Sequence, residues 1–311
     1  MLIKFSEELM RSSNDLVLVI MAIVTSNGKH SFCTESSHNV IATLNGNDQI
    51  LSLYKEYIVK QANGIVYENV VEIVINNPGL GQLSVSQIAE FMGKAAVIIL
   101  ENSINDTAFL KLILASKKSR NILDAYGNYW RVESPGGCGQ IPALIDALLD
   151  QRYPASRLFV IHDSDKLFPT ANLERTHVNI INKCRDNNIV YHTLSKREME
   201  NYIIDELLKK IIGDTDFFNS WAVLTNEQKS HFDYKRGFNR KRERDPLYGG
   251  LYNNLDGAVV DNISPGFGDD IASKAFLEEN YCFYEGDNLR SWCHNADIEF
   301  KEINAKLKKI L

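Results

Sequence analysis

The sequence predicts an α/β protein: a parallel sheet with helices on both faces, preceded by a small α+β domain and followed by a mainly helical, loop-rich region. Three observations carry this. From Ala95, short continuous apolar runs alternate with helix-length amphipathic stretches, as parallel strands joined by crossover helices do. Before it, apolar runs alternate with polar turns such as Asn45-Gly46-Asn47-Asp48, and beyond Ile212 the periodicity weakens among scattered glycines. The expected domains are residues 1–93, 94–212 and 213–311.

In the first domain, Leu16 to Val24 reads as a buried strand, with further apolar runs at Val40 to Leu44 and Val70 to Ile75. Pro78-Gly79-Leu80-Gly81 breaks the chain. Ser84 with Gln87 three residues on forms a capping box that opens a helix through Met92, and Gly93-Lys94 marks the boundary. The second domain should hold strands at Ala95 to Leu100, Tyr129 to Glu133, Leu158 to His162 and Ile189 to Thr193. Ile141, Leu144, Ile145, Leu148 and Leu149 fall at helical spacing, as do Leu173, His177, Ile180, Ile181 and Cys184. The chain should end in a polar helix near Ile303 to Leu311.

With 311 residues, 44% hydrophobic, 24% charged and a net charge of -6, the composition is that of an ordinary globular protein. Leu16 to Val24 is about nine residues, against the roughly twenty a membrane-spanning helix needs. No secretory signal pattern surrounds it, so a cytoplasmic protein without membrane association is expected. Cys33, Cys138, Cys184, Cys282 and Cys293 lack CxxC spacing, which favours reduced thiols over disulfides or a zinc ribbon. A mildly acidic chain can attract nucleic acid only through a local patch.

Ligands of open parallel sheets bind beyond the carboxyl ends of the strands. Glu101 directly follows one predicted strand, and Asp163 and Asp165 follow another in His162-Asp163-Ser164-Asp165-Lys166. If those strands are neighbours, the three carboxylates converge and require a cation, and hard oxygen donors suit Mg²⁺ or Mn²⁺. The plain alternative for Asp163 and Asp165 is helix capping, but capping does not call for Glu101 as well. Asp214-Thr215-Asp216 repeats the Asp-x-Asp spacing and reads as a solvated turn. His162 reads as a packed, hydrogen-bonded residue, and Cys138 lacks the partners of a thiol nucleophile.

Over residues 95 to 205 the chain resembles the Toprim domains of topoisomerases, primases and overcoming-lysogenization-defect nucleases, in which a glutamate ends the first strand and an Asp-x-Asp ends the third. Leu194-Ser195-Lys196-Arg197-Glu198-Met199-Glu200-Asn201-Tyr202-Ile203 is similar to the Arg-Glu-Ile-Glu-Asn-Tyr segment of those nucleases and of phage-defence effectors, Met199 being the departure. The resemblance implies a Toprim-like, Rossmann-like core and a Mg²⁺-dependent endonuclease acting on DNA or RNA, tRNA included. It implies Glu101, Asp163, Asp165 and Glu200 as catalytic and metal-binding acids and Asp106 as a further metal ligand where a second acid is common. Lys166, beside the acids, would hold a phosphate or balance their charge, the plain alternative being a solvated lysine. Glu198 is a weaker candidate than Glu200. After Glu101 this chain has Asn102-Ser103 where the family often has glycine. Gly136 and Gly137, in Ser134-Pro135-Gly136-Gly137-Cys138-Gly139, resemble a glycine turn of the same nucleases; such a turn would let phosphate approach backbone N–H groups, the plain alternative being a tight turn alone.

Between Phe232 and Arg244, cations stand beside aromatics, which makes Lys235, Arg236, Arg240, Lys241, Arg242 and Arg244 the candidate nucleic-acid contacts. Lys274 is a candidate for the functional lysine of those nucleases. Their ATPase is missing, since no Gly-x-x-x-x-Gly-Lys-Ser/Thr loop occurs here. By analogy the protein would be the effector of an anti-phage system held by a separate ATPase subunit, and it could be a homodimer. The competing expectations are a degenerate Toprim module that binds nucleic acid or a partner, and a haloacid-dehalogenase-type phosphatase, which Lys166 after the second Asp fits poorly.

Overall fold

The computed structural model describes residues 1–26, 30–62, 70–79, 82–213, 215–238 and 248–311. Two four-stranded sheets, both wholly parallel, organise them. The first contains β1 (Leu2–Phe5), β2 (Ser31–Phe32), β3 (Val70–Val74) and β4 (Gln82–Ser84) in the order β2-β1-β3-β4. The second contains β5 (Ala96–Ile99), β6 (Trp130–Glu133), β7 (Leu158–His162) and β8 (Val190–Thr193) in the order β6-β5-β7-β8.

The amino-terminal unit is therefore a parallel α/β layer rather than the expected α+β arrangement. The difference begins at Leu16 to Val24, which lies in a helix, Ser13–Val24, and not in a strand. Leu16, Val19, Ile20 and Ile23 are buried at the i, i+3, i+4, i+7 spacing of one helix face, while Leu18 is 59% exposed. Asp15 in the first turn suits the positive end of the helix dipole. An unbroken apolar run carries no periodicity of its own, so packing against helices Asp48–Gln61 and Val85–Gly93 decides its form. The run at Val40 likewise lies in a helix, Ser37–Thr43, whereas Val70–Val74 is a strand and the Ser84–Gln87 capping box opens Val85–Gly93 as expected. Ile20→Ala should cost about 2–4 kcal/mol and Leu18→Ala less than about 0.5 kcal/mol in urea unfolding. Equal costs would favour the strand, because residues 18 and 20 would then share a face.

In the second sheet all four expected strands form, each within a residue of its predicted ends. Strands β5 and β7 are buried along their whole length, so both faces of the sheet must be covered. Alternation divides their side chains. Val97, Ile99, Leu158 and Val160 pack with Ile141, Ile145, Ile180 and Cys184 from helices Ile141–Asp150 and Arg175–Asp186. Ala96, Ile98, Phe159 and Ile161 face the other way, into a larger cluster.

That larger cluster takes Phe109, Leu110 and Ile113 from helix Asn105–Ser116 and continues through Trp221 and Phe276 to Phe300, Ile303, Leu307 and Leu311. Residues 213–311 and 94–212 thus share one core, while residues 1–92 hold a separate one. The last helix, His294–Ile310, starts nine residues before the expected polar helix and packs on β7 and β8. No described helix is long and apolar enough to cross a membrane.

Candidate active site

Strands β5 and β7 are hydrogen-bonded neighbours, with Val97, Ile98 and Ile99 opposite Leu158, Phe159 and Val160. Being parallel, they bring Glu101 and Asp163 to the same end of the sheet. There the Asp163 N–H donates to Glu101 Oε1 at 3.2 Å. Ser134 Oγ, after β6, donates to the Glu101 carbonyl at 2.6 Å, and Gly136 and Gly137 follow with φ of 83° and 143°. A Cβ on either glycine would meet nothing within 4 Å, so the turn needs glycine for its left-handed backbone and not for space.

The loops after β7 and β8 are stitched together. The N–H groups of Ser164 and Asp165 both donate to the Arg197 carbonyl, at 3.1 and 3.0 Å, and Ser164 Oγ donates to the Lys196 carbonyl at 2.8 Å. The Met199 N–H donates to Asp163 Oδ1 at 3.2 Å. Asp165 itself has φ of 51°, a region that aspartate enters more readily than most residues.

The Arg-Glu-Met-Glu-Asn-Tyr segment divides into structural and acidic members. Asn201 closes a capping box with Glu198 and donates through Nδ2 to the Lys229 and Phe232 carbonyls. Tyr202 OH donates to Glu299. Glu200 is 0% exposed. Lys235 Nζ lies 2.9 Å from its Oε1, a charge contact without the alignment of a hydrogen bond, and no described donor reaches Oε2.

These placements load the site with negative charge. Burial, followed by Glu101, Glu200, Glu198 and Asp106, pushes the Asp163 carboxyl well above the usual carboxylate range. Burial and then Asp165 raise Glu101 to about 7. Asp106 rises to about 6 through burial, with Glu200 adding to it and the Asn102 N–H opposing. Glu198 is lifted by burial to about 7, against Arg197, whose Nε lies 3.3 Å away. Carboxylates in such surroundings must share protons or take up cations.

Asp165 behaves differently. Burial would raise it, yet its hydrogen bond with His177, Oδ2 to Nε2 at 3.0 Å, holds it below its ordinary value. His177 Nδ1 in turn lies 3.2 Å from His162 Nδ1, and His162 also reaches the Asp163 carbonyl at 2.8 Å and Thr193 Oγ1 at 2.9 Å. His162 is thus a packed, hydrogen-bonded residue, and burial lowers it to about 4. The Cys138 thiol, an Asp165 oxygen and a His177 nitrogen lie within 4.8 Å of one another.

Of the predicted acids, Glu101, Asp163, Asp165 and Glu200 meet by contact or by charge, with Asp106 beside them, its Oδ2 accepting the Asn102 N–H at 2.8 Å. Lys166 makes no ion pair among the described residues and enters the structure through its backbone, accepting from His231 Nδ1 at 2.9 Å. Lys274 pairs with its helix neighbour Asp270 at 2.7 Å, both exposed. Lys235, expected to touch nucleic acid, spends its ammonium on Glu200, and Glu200 and Glu198 hold it above the usual lysine range despite burial. Arg236 is exposed. Arg240, Lys241, Arg242, Arg244 and Asp214 lie outside the described residues. Sequence reasoning missed His177, whose spacing with Ile180 and Cys184 marks only a buried helix face, and the meeting of Cys138 with Asp165.

No family model matches the chain, and no curated protein or solved structure matches it either. The site is therefore read from its own chemistry.

Proposed function

We propose that the protein is a Mg²⁺- or Mn²⁺-dependent nuclease of Toprim type that hydrolyses phosphodiester bonds in DNA or RNA. The observation that carries this reading is the contact between Glu101 and Asp163 at the ends of adjacent parallel strands, with the fully buried Glu200 close enough to raise Asp163. Oxygen donors with excess negative charge and few internal cations fit a hard divalent ion. Glu101, Asp163 and Glu200 would hold it, with Asp106 as a further carboxylate. Such an ion activates water and neutralises charge on a phosphate.

The chain's own groups supply the rest. Without the ion, burial and then Asp165 raise Glu101 to about 7, so uptake of the ion near neutral pH would release protons. Lys235 bridges two features far apart in sequence: its contact with Glu200 brings the start of the basic run 232–244 to the acids. Arg236, next in that run and exposed, would then meet a phosphate flanking the scissile bond. The role of anti-phage effector controlled by a separate ATPase rests on the resemblance alone.

The test is cleavage of plasmid DNA and total tRNA by the full chain with Mg²⁺, Mn²⁺ or chelator. Cleavage should require the metal and disappear in Glu101→Ala. A Glu101→Ala protein that cuts as well as wild type would refute the reading. Metal-independent binding of nucleic acid without cleavage would favour a degenerate module.

A further inference from the structure

We propose that Cys138, Asp165 and His177 form a second metal site, one that takes a single borderline divalent cation of the zinc type beside the carboxylates of Glu101 and Asp163. The three donors come from separate parts of the fold: the turn after β6, the loop after β7 and helix Arg175–Asp186. Their ligand atoms lie within 4.8 Å of one another, and Asp165 Oδ2 is 3.0 Å from His177 Nε2. Four-coordinate zinc, with bonds near 2.0 to 2.3 Å, sets its ligands roughly 3.3 to 3.8 Å apart. Small side-chain movements therefore bring all three onto one ion.

Each donor is held from behind. Gly136 and Gly137, both left-handed, lead the chain into Cys138. The Asp165 backbone is tied to the Arg197 carbonyl. His177 is buried, with its Nδ1 against His162 Nδ1 at 3.2 Å, leaving Nε2 directed at Asp165. His162 is itself held, its Nδ1–H donating to the Asp163 carbonyl at 2.8 Å and its Nε2 accepting from Thr193 Oγ1 at 2.9 Å.

The donor set selects the ion. Sulfur and imidazole beside one carboxylate suit zinc or cobalt, whereas Mg²⁺ demands oxygen ligands throughout. A thiolate, a carboxylate and a neutral imidazole also balance a divalent charge. Three protein donors leave a fourth coordination position. The zinc-type ion and the hard-metal site would share an edge, with Asp165 between them.

This site does not depend on the nuclease reading, and its test is spectroscopic. The full chain, stripped by chelator, is titrated with Co²⁺. One equivalent should produce visible d–d bands of low coordination number and a thiolate-to-cobalt charge-transfer band in the near ultraviolet, both displaced by Zn²⁺. Cys138→Ser should lose the charge-transfer band and weaken Zn²⁺ binding by at least about tenfold, while the exposed Cys282→Ser keeps both. His177→Ala retains the thiolate and should keep a shifted band with similarly weakened binding, which covers the case of a misfolded Cys138 variant. Glu101→Ala should keep the cobalt bands although the nuclease reading has it lose cleavage, so the two proposals fail separately. No charge-transfer band in wild type, a band undiminished in Cys138→Ser, or unchanged affinity in His177→Ala would each overturn the site.

Discussion

Asp163→Asn should abolish metal-dependent cleavage and, in the same protein, raise the stability of the metal-free state. The loss follows from the nuclease reading: a divalent ion contributes several kcal/mol to phosphodiester chemistry, and each 1.36 kcal/mol is a factor of ten, so removing a ligand should slow cleavage by about a thousandfold or more. The stability gain follows from like charges. Asp163 is surrounded by Glu101, Glu200, Glu198 and Asp106, and burial together with these carboxylates lifts its carboxyl far above the unfolded value. Asparagine is nearly isosteric and keeps an oxygen to accept the Met199 N–H, but brings no charge.

The sign of the pH dependence is fixed by the direction of these shifts. Asp163, Glu101, Asp106 and Glu198 all have folded-state values above their unfolded ones. Between the ordinary carboxylate range and about pH 7 the folded chain therefore binds more protons than the unfolded chain, and their contribution to stability falls as pH rises through that window. In chelator, Asp163→Asn should unfold at a higher temperature than wild type at pH 8, by about 1 kcal/mol or more, and the difference should shrink towards pH 5. Millimolar Mg²⁺ should raise the wild-type midpoint at pH 8 and leave the variant nearly unmoved. Were Asp163 a structural cap, the variant would instead be less stable at every pH.

How far the sequence reaches depends on whether the deciding contacts are local. Strands β5 and β7 were legible because a strand buried on both faces needs a continuous apolar run, and Val-Ile-Ile-Leu and Leu-Phe-Val-Ile-His supply it. The Glu101–Asp163 meeting was legible for the same reason, since a residue that directly follows such a strand emerges at the sheet's edge. Leu16 to Val24 misled because its apolar residues fill every position, so neither period stands out and tertiary packing chooses. Lys235 was read as a phosphate contact because its immediate neighbours are basic, while the residue that captures it, Glu200, stands 35 positions earlier. Asn201 and Tyr202 show the opposite limit. They belong to the segment that carries the nuclease resemblance, yet each serves to hold that segment, Asn201 against residues 229 and 232 and Tyr202 against Glu299.

Glu299 is where the last helix grips the site-bearing loop, and Glu299→Ala should produce the largest loss of stability. Its carboxylate accepts from His192 Nε2 at 2.9 Å, from the Ser195 N–H at 2.7 Å, and from the hydroxyls of Ser195 and Tyr202. Alanine would strand several buried donors at once, each worth about 1–3 kcal/mol when left unsatisfied, so a loss of about 3–5 kcal/mol is expected. That corresponds to a midpoint lower by roughly 10 °C. Glu302→Ala, exposed on the same helix, should stay within about 0.5 kcal/mol. Burial alone would raise the Glu299 carboxyl, but the bonds from His192, Ser195 and Tyr202 outweigh it and hold the group below its ordinary value. The sign is thus opposite to that of the Asp163 cluster: this stabilisation is full above the unfolded carboxylate value and is lost as pH falls through the folded one. Thermal unfolding should accordingly show the gap between wild type and Glu299→Ala narrowing on acidification. The loop from Ser195 to Tyr202 also carries Glu200 and the Arg197 carbonyl that fixes Asp165, so Glu299→Ala should impair cleavage even at temperatures where the chain remains folded. A midpoint no lower than that of Glu302→Ala would show that the last helix covers the sheet without anchoring the acids.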